Sequence, residues 1–247
     1  MMKYYMQSLA IAVFLAGLCA GCKKDSSTAP LSTSLTLVNI IPGADTLVTN
    51  FNGVTKQPSF QYYLAQQIIP NSYQEFSGYL NTVPLAISTN RDTTHALFNL
   101  DLNIAPGSIH TLFFVGTGTA PDTLLTTDQV PVIPVNDSAI GVRFANLSFG
   151  SNPVNITVNT GAGDSVIASG LAYKGISLFL RLPASASLPA GGSYTFSFID
   201  AASSALLTSY TLGGLSSMYF RSSTIVLKGL PGGSGTSATG VLAVNNY

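Results

Sequence analysis

The chain has no tryptophan, two cysteines, two histidines and one glutamate, and charged residues fill 8% of its 247 positions. Each shortage excludes something. Both cysteines, Cys19 and Cys22, fall in the first 22 residues, so the remainder holds no disulfide framework, thiolate nucleophile or cysteine metal site. His95 and His110 form no His-x-x-x-His or His-Glu pair, so no zinc pattern exists, and the carboxylates are too scattered for an EF-hand loop. Glu75, as sole glutamate, has no evident partner for paired-carboxylate hydrolysis. A formal net charge of zero offers no basic patch for nucleic acid. Without tryptophan, a sugar-stacking platform would rest on Tyr or Phe. No cofactor is expected, and the chain is read as not an enzyme.

What is present begins at the N-terminus. Lys3 precedes an apolar run from Leu9 to Leu18 that is short for a permanent span, then Cys19-Ala20-Gly21-Cys22. The small pair before Cys22 resembles a bacterial lipobox, which implies lipidation of Cys22; an ordinary secretory signal cleaved near Ala20 is the alternative. Lys23 to Pro30 is polar and without hydrophobic periodicity, and is read as a tether. The implied address is the outer membrane of a Gram-negative bacterium, at the periplasmic face or the cell surface, with the membrane as a partner through the lipid.

The whole chain is 46% hydrophobic, and beyond residue 30 it is patterned with period two. Val154-Asn-Ile156-Thr-Val158 and Tyr194-Thr-Phe196-Ser-Phe198 alternate, as half-buried strands do. Further strands are predicted over Leu35–Ile41, Leu47–Phe51, Val83–Ser88, Leu97–Leu102, Ile109–Gly116, Ile140–Leu147, Ile176–Leu182, Leu206–Leu212, Thr224–Lys228 and Val241–Asn245. Pro42-Gly43, Asn52-Gly53, Pro106-Gly107, Asn152-Pro153, Gly191-Gly192 and Gly213-Gly214 supply turns. Ser59–Gln67 reads as a helical turn or an edge strand. These features predict an all-β fold of two tandem immunoglobulin-like antiparallel β-sandwich domains.

The chain also repeats. Leu35-Thr-Leu-Val-Asn39-Ile-Ile41 aligns with Val142-Arg-Phe-Ala-Asn146-Leu-Ser148, and Thr111-Leu-Phe-Phe-Val-Gly116 with Thr224-Ile-Val-Leu-Lys-Gly229. The period is about 100 residues, the size of one sandwich. The expected division is 1–21 signal peptide, 22–33 tether, 34–128 first module, 129–137 connector with Pro131 and Pro134, and 138–247 second module. Each module is expected to own its core, with contacts stopping at the connector.

Val142-Arg143-Phe144-Ala-Asn146-Leu147-Ser148, followed by Pro153-Val154-Asn-Ile156-Thr-Val158, resembles the opening of domain-of-unknown-function 4397, and Gly192-Ser-Tyr194-Thr-Phe196 resembles its later strand. The resemblance is clearer in the second half; in the first, Thr36 and Ile41 replace the motif's Arg and Ser. The family's opening-loop aspartate is kept as Asp45 and replaced by Gly150-Ser-Asn in the second half. The resemblance implies an exported sandwich, often tandem and lipid-anchored, and no reaction.

Three smaller patterns remain. Gly163-Asp164-Ser165-Val166 and Asp92-Thr-Thr-His95 resemble esterase blocks, but in the reverse of that family's order and without its βα alternation; Asp164-Ser165 is read instead as a hairpin turn. Tyr62, Tyr63, Tyr73 and Tyr79 are read as core or edge packing, with a ligand surface as the alternative. Thr46, Thr93, Thr123, Ser138 and Ser165 each follow Asp and precede an apolar residue or Thr, which resembles a periplasmic O-glycosylation acceptor; turn chemistry is the alternative. The function these features imply is a lipid-anchored surface binding or adhesion module for a glycan or protein ligand. An outer-membrane spacer and a β-sandwich hydrolase are the alternatives.

Overall fold

The structure is a computed structural model that describes residues 31–51, 66–78, 81–159, 161, 163–184 and 192–246. Cys22, Tyr62, Tyr63, Tyr79 and Gly191 lie outside these, as does most of Ser59–Gln67. The first half forms β1 (Thr33–Asn39), β2 (Leu47–Asn50), β3 (Gln67–Ile68), β4 (Ser72–Gly78), β5 (Thr82–Thr89), β6 (Phe98–Asn103), β7 (Ile109–Gly116) and β8 (Pro121–Thr127). The second forms β9 (Ala139–Asn146), β10 (Val154–Asn159), β11 (Asp164–Leu171), β12 (Gly175–Ile176), β13 (Leu180–Pro183), β14 (Tyr194–Asp200), β15 (Leu206–Leu212), β16 (Ser222–Lys228) and β17 (Gly240–Asn245).

The halves share one topology. In the first, β4-β1-β7-β8 faces β3-β2-β5-β6; in the second, β9-β16-β17, with β12 and β13 along the free edge of β9, faces β11-β10-β14-β15. The fold is all-β and sandwich-like. One detail departs from an all-antiparallel expectation: β1 pairs β7 in parallel and β9 pairs β16 in parallel.

The four sheets stack in series. Leu35, Leu37, Leu112 and Phe114 meet Leu47, Val83, Leu85 and Ile87 inside the first sandwich. Val142, Phe144, Ile225 and Leu227 meet Val154, Ile156, Phe196 and Phe198 inside the second. A third core joins the halves: Val38, Ile40, Phe113 and Val115 pack on Ala145, Leu147, Val226 and Val244. Contacts therefore do not stop at the connector, and residues 31–247 form one compact unit. The reason lies in the strands. Apart from one half-buried end residue on β7 and on β16 and one internal residue on β1, the inner strands β1, β7, β9 and β16 are buried on both faces, and their near-continuous apolar runs (Leu112-Phe-Phe-Val115) are what a doubly covered strand carries.

Two predicted elements change. Ile176–Leu182 is broken at Ser177–Phe179 into β12 and β13. Asp164 and Ser165 are not in a turn; they open β11 opposite Asn159 and Val158. The repeated asparagine explains itself. Asn39 Nδ2 donates to the Asp45 and Ile68 carbonyls at 3.2 and 3.1 Å, and Asn146 Nδ2 to those of Asn152 and Leu171 at 3.4 and 3.0 Å. Each asparagine thus ties its opening loop to the chain leaving the outer sheet. There Asn71 and Lys174 take φ of 59° and 63° and donate their N–H to the Asn39 and Asn146 carbonyls.

A candidate binding cleft at the module junction

Alternation along β9 sends Val142 and Phe144 into the second sandwich and Arg143 the other way, into the layer between the modules. A guanidinium buried there needs an acceptor for each donor it turns away from water. Arg143 Nη2 donates to Asp128 Oδ1 at 2.7 Å and Nε to Thr224 Oγ1 at 2.7 Å. Asp128 Oδ1 also accepts from Thr126 Oγ1 at 2.7 Å, and Oδ2 from Thr111 Oγ1 at 2.5 Å and Asn246 Nδ2 at 2.9 Å. Thr224 Oγ1 closes the circuit by donating to Asn246 Oδ1 at 2.6 Å. Both members of the ion pair are buried, with the carboxylate fully enclosed.

The repeat is visible in this cluster. Thr111 and Asp128 in the first half hold the places of Thr224 and Asn246 in the second, and Thr36 holds that of Arg143. Nominally equivalent residues meet between the modules, but one half supplies the cation and the other the anion. The motif arginine is therefore a junction residue, paired with an aspartate from the end of the first module.

Beside it the edge strand opens. Gly175 and Ile176 pair Asn146 and Ala145, Leu180 pairs Val142, and Ser177–Phe179 bulge between. Ser177 holds the start of the bulge with two bonds to Phe144: its N–H donates to the Phe144 carbonyl, and its Oγ accepts the Phe144 N–H at 3.0 Å. The bulge lays the Phe179 ring over the Arg143 guanidinium, 4.7 Å from ring centroid to Cζ, and leaves Leu178 exposed. In the first half β4 runs unbroken past Thr36. The result is a cleft of about 450 Å³. Thr126, Thr127, Gln129 and Pro131 line one side; Arg143, Ile176 and Ser177–Phe179 line the other. His110 lies behind it, its Nδ1 3.1 Å from the Thr126 carbonyl, and burial pushes its pKa below the ordinary histidine value.

The other sequence-predicted residues do not gather here. Thr93, Ser138 and Ser165 are exposed; Thr46 and Thr123 are half-buried, and the Thr123 N–H donates to the Asp122 carboxylate at 2.7 Å. Asp92 and His95 sit on an exposed turn, where the Thr94 hydroxyl and then His95 hold the Asp92 carboxyl well below the usual range. That turn leads into β6 in the first module, whereas Ser165 opens β11 in the outer sheet of the second, at the opposite end of the stack, so the two esterase-like blocks do not meet. Tyr73 packs against the core between the halves, as expected for a packing residue. Among the described residues no three His, Cys, Asp or Glu side chains converge as metal ligands.

Two sandwiches stacked through a shared core, with a cleft at their joint, define a tandem β-sandwich protein. Residues 33–157 match the family described as domain of unknown function (DUF4397), and the chain belongs to that family. The match spans the first module and reaches β10. No curated protein matches the sequence. One similar solved structure concerns alpha-glucan recognition by family 41 carbohydrate-binding modules from streptococcal virulence factors, at 10% identity over 79% of this chain and 93% of that one, with a TM-score of 0.28. Another is a leucine-rich repeat protein from Bacteroides thetaiotaomicron, at 13% identity over 74% and 24%, with a TM-score of 0.15. Neither likeness is close enough to carry an argument about function.

Proposed function

We propose that the chain is a non-enzymatic, lipid-anchored envelope protein of a Gram-negative outer membrane that binds a glycan or protein ligand in the cleft beside Arg143. The observation that carries this reading is the held geometry of that cleft. Arg143 is fixed by Asp128 and Thr224 and covered by Phe179, so the site needs no rearrangement to receive a ligand. A few polar groups in a mixed apolar wall of this size suit a small ligand or the end of a larger one. The anchor rests on the signal pattern before Cys22, and acylation at more than one chain would make it firm. The exposed Thr93, Ser138 and Ser165 suit O-glycan attachment better than Thr46 and Thr123 do.

The test is capture. A glycan array and a whole-cell pulldown are run with the native chain and with Thr127→Trp, which fills the cleft from an exposed position and spares the ion pair. Loss of capture at an unchanged melting temperature supports the site; undiminished capture moves the ligand elsewhere. In parallel, Cys22→Ala should release the protein from membranes or leave its signal uncut. A spacer is the second reading, favoured by the continuous core through all four sheets. It predicts that the native chain captures nothing in either assay.

A further inference from the structure

The parallel pairs bring many chain ends to one end of the stack. Ser34 is level with Ile109 and Gly141 with Ser222, so β1, β7, β9 and β16 all start there; β8 and β17 end there. The connector crosses this end, where Pro131 lies so close to Gly141 that a Cβ on the glycine would sit 2.9 Å from the ring. Single exposed apolar residues are ordinary on any protein, but a gathering of them is not. Val132 and Val135 are 93% and 90% exposed, the highest values among the described large hydrophobics, and Leu31 and Phe220 are exposed at the same end. Ile109, Val130, Ile133 and Phe220 line an apolar groove of about 290 Å³ between them. The acids on either side of the connector prolines are already engaged, Asp128 at the end of the first module with Arg143 and Asp137 in the connector with Arg181, and Arg221 is exposed beside Phe220. No unpaired connector carboxylate opposes an anionic headgroup.

We infer that this end is a membrane-docking face whose occupant is the bilayer that holds Cys22. The inference rests on the lipid-anchored reading above. Eleven chain steps separate Cys22 from Thr33, a reach of at most about 40 Å at 3.3–3.6 Å per residue. The chain enters the fold at this end, so an anchored lipid holds it near the bilayer at high effective concentration. Four partly inserted side chains would bind a membrane weakly by themselves; next to a tether they need only bias orientation.

The missing tryptophan makes the test clean. Val132→Trp in the full lipidated chain is the sole tryptophan and reports on the face; Leu206→Trp, exposed at the opposite end of the stack, is the control. Each is reconstituted into phosphatidylcholine–phosphatidylglycerol vesicles with and without brominated acyl chains. The expected result is flotation of both proteins, with blue-shifted emission quenched by bromine for position 132 and unchanged emission for position 206. Flotation without quenching at 132 overturns the docking face and spares the anchor. Failure of the native chain to float overturns the anchor and the docking face with it. A blue shift at 132 that needs no vesicles and grows with protein concentration assigns the face to a second copy, which also overturns the inference. Val132→Asp with Val135→Asp should float normally, keep the native melting temperature and lose the fixed orientation.

Discussion

At the scale of the residue, Asp128 is the group on which the junction depends. It accepts from Arg143, Thr111, Thr126 and Asn246, four donors from four separate segments. Replacing it with Ala leaves Arg143 buried and unpaired, which should cost about 3–5 kcal/mol. Replacing both, as Asp128→Leu with Arg143→Met, should cost less than the single change, because no charge is then stranded. Urea unfolding of the three proteins checks the order. His110 carries a pH dependence. Burial lowers its pKa in the fold below the ordinary 6.5, so between the folded value and 6.5 the unfolded chain binds more protons. Stability contributed by the neutral ring is thus full above pH 6.5 and falls as pH drops through that window. His110→Gln should flatten this part of a stability–pH curve, and an unchanged slope would show that another group is responsible.

At the scale of the element, the strands that were legible in the sequence are those with one strong apolar face. Tyr194 to Phe198 alternates in sequence and in burial, and β5, β10 and β14 lie where their patterns place them. β4 and β11 carry no such signal. Ser72–Gly78 reads Ser-Tyr-Gln-Glu-Phe-Ser-Gly, with Phe76 its one inward apolar anchor, and most of Asp164–Leu171 faces solvent as an edge. Edge strands gain their pairing from a neighbour rather than from a pattern of their own. The cleft was hidden for a related reason: Arg143 stood out as part of a motif, but the bulge at Ser177–Phe179 is a register event that neither composition nor period records. Energetics should follow the faces. Phe144, fully buried against Phe196 and Phe198, should cost about 3–5 kcal/mol on truncation to Ala. Its neighbours on the outer face of β10 are not as free as alternation implies. Asn155 Oδ1 accepts the Gly170 N–H at 2.9 Å, and Thr157 is buried. Asn155→Ala should therefore cost about 1 kcal/mol, one ordinary hydrogen bond. Equal sensitivity at Phe144 and Asn155 in chemical unfolding would contradict this assignment of faces.

At the scale of the whole molecule, the shared core changes what a module is. Residues 138–247 hold their own sandwich core, but alone they would bare Ala145, Leu147, Val226 and Val244 and leave Arg143 without Asp128. The isolated second half should therefore associate with itself or melt well below the intact chain, and the intact chain should melt in one transition that includes both halves. Light scattering and calorimetry of the fragment and the full chain decide this. A monomeric fragment with the melting temperature of the intact protein would mean that the third core contributes little.

The central place of β1 has a mechanical consequence. It is the first strand after the tether, and it lies between β4 and β7, in register over Thr33–Asn39 on one side and Ser34–Asn39 on the other. Tension on the tether runs along this strand and loads both ladders in shear, so their bonds must yield together. Tension on the C-terminus meets an edge strand, β17, which among the described strands pairs only with β16 and can be peeled one bond at a time. Pulled singly from either end, the protein should therefore resist a higher force from its N-terminal side, the side by which an anchored molecule would be held against flow.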